Sequence, residues 1–354
     1  MPVMSRLVPA TFCLTAIVTA ATIAPAAARQ DQRPELQRVL QADLGFLPAE
    51  SDALKAGRVV ARVLTTTDPE EVAIAGAMHV AVPLDYYVSR IANVGVPSPG
   101  AAPPDAGRFS RPATASDLAG WSLAPADLKA IDLCDARACA IRLSDDVLGR
   151  LRQEAGLKST PAADAWTRGV REAIAGYVAA YQTRGASGLP SYRNGTTTIN
   201  PAAALPTVRS RFSFLREPYQ ELLQWLDRYP ADRGDRAREQ FFWSLDTVMA
   251  TPVLTALHLV VWPTPTPLAD RVLVTEQVYS SREVDALVEV TLLAADTTPD
   301  QPGLTVVTTT RSVSVSLDGL IGAAKRSVAR TKARDALAEY LTSVRTAFEH
   351  DAKR

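Results

Sequence analysis

Residues 251–262, TPVLTALHLVVW, open a run of strand-like segments that gives way to one long amphipathic helix ending near Phe348. The segments are Val253–Trp262, Arg271–Ser280, Val284–Ala295 and Leu304–Ser316, each bounded by Pro, Gly, Asp or Thr clusters. They are rich in the β-branched residues that suit a pleated surface. Behind them Leu320, Ile321, Ala324, Val328, Leu337, Leu341, Val344 and Phe348 recur close to a period of 3.6, which predicts one apolar helical face. A sheet followed by such a helix buries both apolar surfaces most simply by curling around it. The expected class is therefore α+β: a curved antiparallel sheet gripping a long C-terminal helix, with an inserted helical section.

Outward from that block, residues 1–28 read as a signal peptide, with Arg6 before an apolar run and Ala26-Ala27-Ala28 as a small-residue cleavage site. Export to the periplasm or beyond is expected. Residues 29–56 carry two short helices. Residues 57–160 supply the first strands, Arg58–Leu64 and Glu71–Val82, then a short helix over Leu84–Asn93 and a Pro/Gly-rich loop over Val96–Pro112. In Glu71–Val82, Val72, Ile74, Gly76, Met78 and Val80 share one face, and Ala73, Ala75, Ala77 and His79 the other. Leu118–Leu123 and Leu128–Leu133 are short strand candidates leading to a hairpin tip at Cys134 and Cys139. In an exported chain a structural disulfide is expected there, in preference to a metal or redox site. Residues 161–238 form the helical insertion, with helices over Asp164–Arg184 and Pro206–Tyr229 and a loop over Gly185–Asn200. Residues 239–350 complete the sheet and the final helix.

Composition bounds the function. Among 354 residues, 38 Lys and Arg balance 38 Asp and Glu, which excludes the basic surplus of a dedicated nucleic-acid binder. No H-E-x-x-H, G-x-S-x-G, P-loop or G-x-G-x-x-G is present, so no catalytic residue, metal ligand or cofactor is expected. An enzymatic reading would need Asp285 or Glu289 beside a second carboxylate in a pocket. Glu276, Asp285, Glu289 and Arg311 stand among apolar strand residues; they face either a cavity or solvent, and solvent is the plainer reading for a half-exposed sheet. Lys325, Arg326, Arg330, Lys332 and Arg334 give the last helix a basic start, a solvated face or a peripheral contact for anionic headgroups.

Several landmarks point to a family. They are the 57–64 segment GRVVARVL with Val80-Ala-Val-Pro83, the cysteine hairpin, the Trp166–Tyr181 helix, Gln277-Val-Tyr-Ser-Ser281 with Asp285-Ala286, and Arg311-Ser312 leading into Asp318-Gly-Leu-Ile-Gly322. With these the chain resembles exported bacterial proteins that look like relatives of the START-like, helix-grip superfamily of lipid-transfer proteins and polyketide cyclases. It departs from them at Glu276, Arg282, Glu283 and Val284, where Lys, His, Tyr and Phe are expected. The resemblance implies a hydrophobic or lipid-like ligand between sheet and final helix, and Gln277, Tyr279 and Arg311 are the polar groups expected to orient its head. The alternative is an envelope structural or interaction protein whose core is filled by side chains.

Overall fold

The computed structural model describes residues 33–94, 105–125, 127–128, 141–156, 163–194, 197–230, 237–248, 251–296 and 303–354. The signal-peptide segment and the Cys134/Cys139 hairpin lie outside the described residues.

Helix α1 (Pro34–Arg38) runs on as a π-helical turn over Val39–Asp43, and α2 (Pro48–Lys55) follows. Strands β1 (Val60–Val63) and β2 (Glu71–Val80) precede α3 (Leu84–Val94) and the short β3 (Ala106–Arg108). The middle of the chain holds α4 (Asp145–Gly156), α5 (Ala163–Arg184), the hairpin of β4 (Tyr192–Asn194) and β5 (Thr197–Ile199), α6 (Pro201–Arg209) and α7 (Gln220–Arg228). Five long strands come next: β6 (Arg238–Val248), β7 (Thr251–Trp262), β8 (Arg271–Ser280), β9 (Ala286–Ala295) and β10 (Leu304–Val313). The chain closes with α8 (Gly319–Asp351), whose N-cap Asp318 accepts a hydrogen bond from the Gly319 N–H at 2.7 Å.

One eight-stranded sheet has the order β1-β2-β10-β9-β8-β7-β6-β3, antiparallel throughout. The N-terminal hairpin thus joins the C-terminal meander by laying β2 along the whole of β10. The two faces of β2 divide as its alternation predicts. Val72, Ile74, Met78 and Val80 pack with Leu337, Tyr340, Leu341, Val344 and Phe348 of α8 and with Tyr87, Val88 and Ile91 of α3. Ala73, Ala75 and Ala77 belong to the other core, with Leu36, Val39 and Leu40 of the N-terminal helices and the apolar faces of α5, α6 and α7. The small residues on that face let these helices sit close against the sheet.

Several expected elements differ. Leu118–Leu123 is not a strand: Ala115–Leu118 is a 3-10 turn, and Leu118, Trp121 and Leu123 are buried anchors of irregular chain. Asp127 and Leu128 lie in a helical turn closed on the Ala124 carbonyl, and the rest of the second candidate lies outside the described residues. The expected helix over Pro206–Tyr229 is broken. A proline inside α6, a non-helical Phe212 and a 3-10 turn over Ser213–Leu215 redirect the chain before α7. Gly185–Asn200 holds the β4–β5 hairpin, and part of the expected Val96–Pro112 loop is β3.

The last helix also differs from its pattern. Its C-terminal half is buried, whereas Ala324 is exposed and Val328 is 46% exposed. The first half lies beside the β1–β2 turn and is tied there by Arg326 on the Pro69 carbonyl and Arg330 on the Thr66 hydroxyl. A periodic stripe records what a helix could bury; here the core beneath it begins only at Leu337.

Candidate binding site beneath the C-terminal helix

The three residues singled out for ligand contact do not converge. Gln277 donates to the Val284 carbonyl at 3.2 Å. The Tyr279 hydroxyl donates to the Arg142 carbonyl at 2.9 Å, and its ring touches those of Tyr177 and Tyr192. Arg311 is bound to Glu71 at 2.8 Å and lies 5.7 Å above the Phe212 ring. Tyr279 and Arg311 therefore face the helical section, away from α8. Strict alternation would place Tyr279 with Gln277, opposite Glu276. A β-bulge explains the difference: Ala256 pairs with Tyr279 but Leu257 with Gln277, so Val278 is an extra residue and Tyr279 lands on the Glu276 side.

The side covered by α8 and α3 has a polar row of its own. Across the strands, Ile74, Thr310, Glu289, Thr275 and Leu259 stand in register, and cross-strand partners share a face. The next row carries Gly76, Thr308, Thr291 and Leu273, with the Thr291 and Thr308 hydroxyls 3.0 Å apart. Glu289 accepts from Thr310 at 3.0 Å. Burial raises its carboxyl above the usual range, and the Thr310 bond only partly offsets this. Two tyrosines lean over the row, Tyr87 from α3 and Tyr340 from α8. Burial and the Glu289 charge raise the Tyr87 hydroxyl; burial, Tyr87 and Glu289 raise that of Tyr340. Packed round by protein, Glu289 is nevertheless not closed off, and Leu257, Leu287 and Thr310 around it also keep partial exposure. The arrangement is an apolar face that carries one carboxyl, two phenols and several threonines, polar groups able to orient the head of a ligand held there. Glu289 was visible in the sequence as a charge within a strand. Its neighbours were not, because Tyr87 and Tyr340 arrive from distant helices.

The opposite face holds a closed chain of charges. Glu276 is 0% exposed; it receives Arg209 at 2.6 Å and the Tyr181 hydroxyl at 2.9 Å. Tyr181 reaches His258 Nδ1 at 3.3 Å, and His258 Nε2 lies 3.0 Å from Glu239. Arg111 then links Glu239 to the Tyr229 hydroxyl. Burial works against the Glu239 carboxylate, but the hydrogen bond and charge of His258, with Arg111 and Tyr229, bring it down to about 2. Every member is spent on another, so the chain joins the helical section to the sheet rather than meeting a substrate. A depressed carboxyl contributes stability above its unfolded value of 4.5 and loses it as pH falls toward 2. Unfolding titrations should therefore show about 3 kcal/mol lost across that window, and Glu239→Gln should flatten this part of the profile; an unchanged acid slope in the variant would refute the assignment.

Asp285 is held by Arg142 at 2.6 Å and by the Val315 N–H at 2.7 Å. Glu289 bonds a threonine. Among the described residues no group of His, Cys, Asp and Glu could hold a metal ion, and no helix is long and apolar enough to cross a membrane. Compared with known protein families, curated proteins and solved structures, this chain matches none of them.

Proposed function

We propose that the protein is an exported, START-like helix-grip protein that binds a hydrophobic or lipid-like small molecule between the sheet and α8. Glu289, Tyr87 and Tyr340 meet its polar end, in place of Gln277, Tyr279 and Arg311. The observation that carries this reading is the desolvated Glu289 carboxyl, set in a threonine row on an otherwise apolar face and left partly open. A carboxyl in such a place is costly unless something pairs with it. The basic first half of α8, with Lys325 and Lys332 exposed, supports peripheral contact with anionic headgroups during loading.

The alternative is an interaction protein with no ligand. It is favoured by the other face, where Trp262 and Tyr279 are 3% and 1% exposed and fill the core.

Solvent extraction of the purified protein with mass spectrometry, then titration with a pyrene-labelled fatty alcohol from neutral and phosphatidylglycerol-containing vesicles, separates the two. Saturable uptake by the wild type is expected, faster from the anionic vesicles. Glu289→Leu should weaken it about tenfold, the loss of one hydrogen bond to a charged or polarised group. Removing a carboxyl whose charge burial already disfavours leaves the fold no less stable at neutral pH. An empty protein that ignores the probe would reject the ligand reading in favour of the alternative.

A further inference from the structure

The geometry points to a second, separate ligand site at the other flank of α8: a cleft that takes a small oxyanion, a carboxylate or a phosphate monoester, through His79, Arg345 and Lys353.

The cleft exists because β1 stops pairing with β2 at Val60 opposite Ala77, so the last residues of β2 have no strand on that side. The final turns of α8 cover the gap and leave about 550 Å3, within the range of small-molecule pockets. Its lining includes His79, Arg345, Glu349, His350 and Lys353. His79 is 8% exposed, and its Nε2 lies 2.6 Å from Asp296 Oδ2. The Asp296 carboxylate only accepts, so Nε2–H donates to it; this fixes the ring and leaves Nδ1 for a partner, an anion when the imidazole carries its second proton. Among the described residues Nδ1 has none. The pair is built into the backbone: a Cβ at Gly303 would come within 2.7 Å of both Asp296 Oδ2 and His79 Nε2, so a glycine makes room for it.

The charges of the lining favour an anion. Arg345 and Glu349 stand four residues apart on α8, a spacing that would ordinarily pair them, and Lys353 follows just past the end of the helix. Instead Glu349 accepts the Ala81 N–H at 2.9 Å and Arg345 donates one nitrogen to the Gly57 carbonyl at 2.6 Å. Arg345 keeps further donors, and Lys353 has no ion pair among the described residues. Asp296 stands behind the imidazole. The carbonyl end of α8 repels an anion on its axis, but the cleft opens on the flank. The lining thus sets two cations, Arg345 and Lys353, beside the His79 ring, which as an imidazolium adds an N–H donor; such a set grips a planar or tetrahedral oxyanion.

The chain has only three histidines, so their ring resonances can be followed individually by NMR. Inorganic phosphate and succinate are titrated separately at constant ionic strength into the full-length protein and into His79→Gln and Lys353→Glu variants. A saturable shift of the His79 resonances is expected, with His258 unmoved. Lys353→Glu, a change at the rim, should weaken it about fivefold, and His79→Gln, read at the remaining lining histidine His350, should show no saturable shift. Response to phosphate alone identifies a phosphate monoester, and to succinate alone a carboxylate. Shifts that stay linear, that appear only at His350, or that are unchanged in Lys353→Glu would overturn the site. The fatty-alcohol titration in the same variants should match the wild type, which keeps this result independent of the site proposed at Glu289.

Discussion

Arg209→Met should cost the fold about 3–5 kcal/mol in urea unfolding, among the largest effects of any single substitution. The reason is the partner it leaves. Glu276 is wholly buried on β8, and Arg209, itself 5% exposed, is the cation that reaches it, with Nε at 2.6 Å. Burial works against the guanidinium charge, yet the Glu276 charge and hydrogen bond more than offset it and hold Arg209 protonated. Without it, Glu276 keeps only the Tyr181 hydroxyl, one neutral donor for a full charge. The double variant Arg209→Met/Glu276→Leu should recover most of the loss, because an apolar pair of similar volume avoids the desolvation of both ions. Recovery should stop short of complete, since Tyr181 would lose its acceptor. A single variant within 1 kcal/mol of the wild type would mean that Glu276 is neutral or hydrated in the native protein. The Asp227 contact at 2.5 Å is not the source of the effect: that carboxylate is 61% exposed and is largely screened.

What the sequence disclosed and what it hid follow the range of the interactions. Strand boundaries in the C-terminal block depend on local residue type, and Arg271–Ser280 is found as read. The alternation of β2 and the aromatic stripe of α5 are also local; Trp166, Val170, Ile174, Tyr177 and Tyr181 are all buried as the pattern implies. The single-residue bulge at Val278 has no such signature, and it moves Tyr279 to the other side of the sheet. The break between α6 and α7 serves tertiary contacts: it lets Arg209 reach Glu276 while Tyr219 donates to the Ala269 carbonyl at 3.1 Å. His258 is isolated in the sequence, and its partners Tyr181 and Glu239 come from α5 and β6. The ligand candidates failed to converge for the same reason. Gln277, Tyr279 and Arg311 stand out along the strands, whereas the Glu289 row is assembled across them, with its phenols supplied by α3 and α8.

How α8 is seated tests the architecture most directly. A Cβ at Gly76, midway along β2, would lie 2.6 Å from Leu341 Cδ1 and 3.0 Å from Leu337 Cδ2. The glycine lets the C-terminal half of α8 approach the strand this closely, and Leu341, 1% exposed, fills the space above it. Leu341→Ala should therefore cost about 2–5 kcal/mol through lost burial and a cavity that the sheet cannot collapse. Gly76→Ala alone should cost about 1–3 kcal/mol by overpacking, moderated because the obstacle is the tip of a side chain rather than backbone. Combined, the two should cost less than their sum by roughly 1 kcal/mol or more, since the new methyl occupies the volume that the leucine vacates. Unfolding free energies of the four proteins in the cycle measure that difference. Strict additivity would mean that the helix does not rest on β2 in solution, and the proposed site at Tyr340 and Glu289 would then lack its roof.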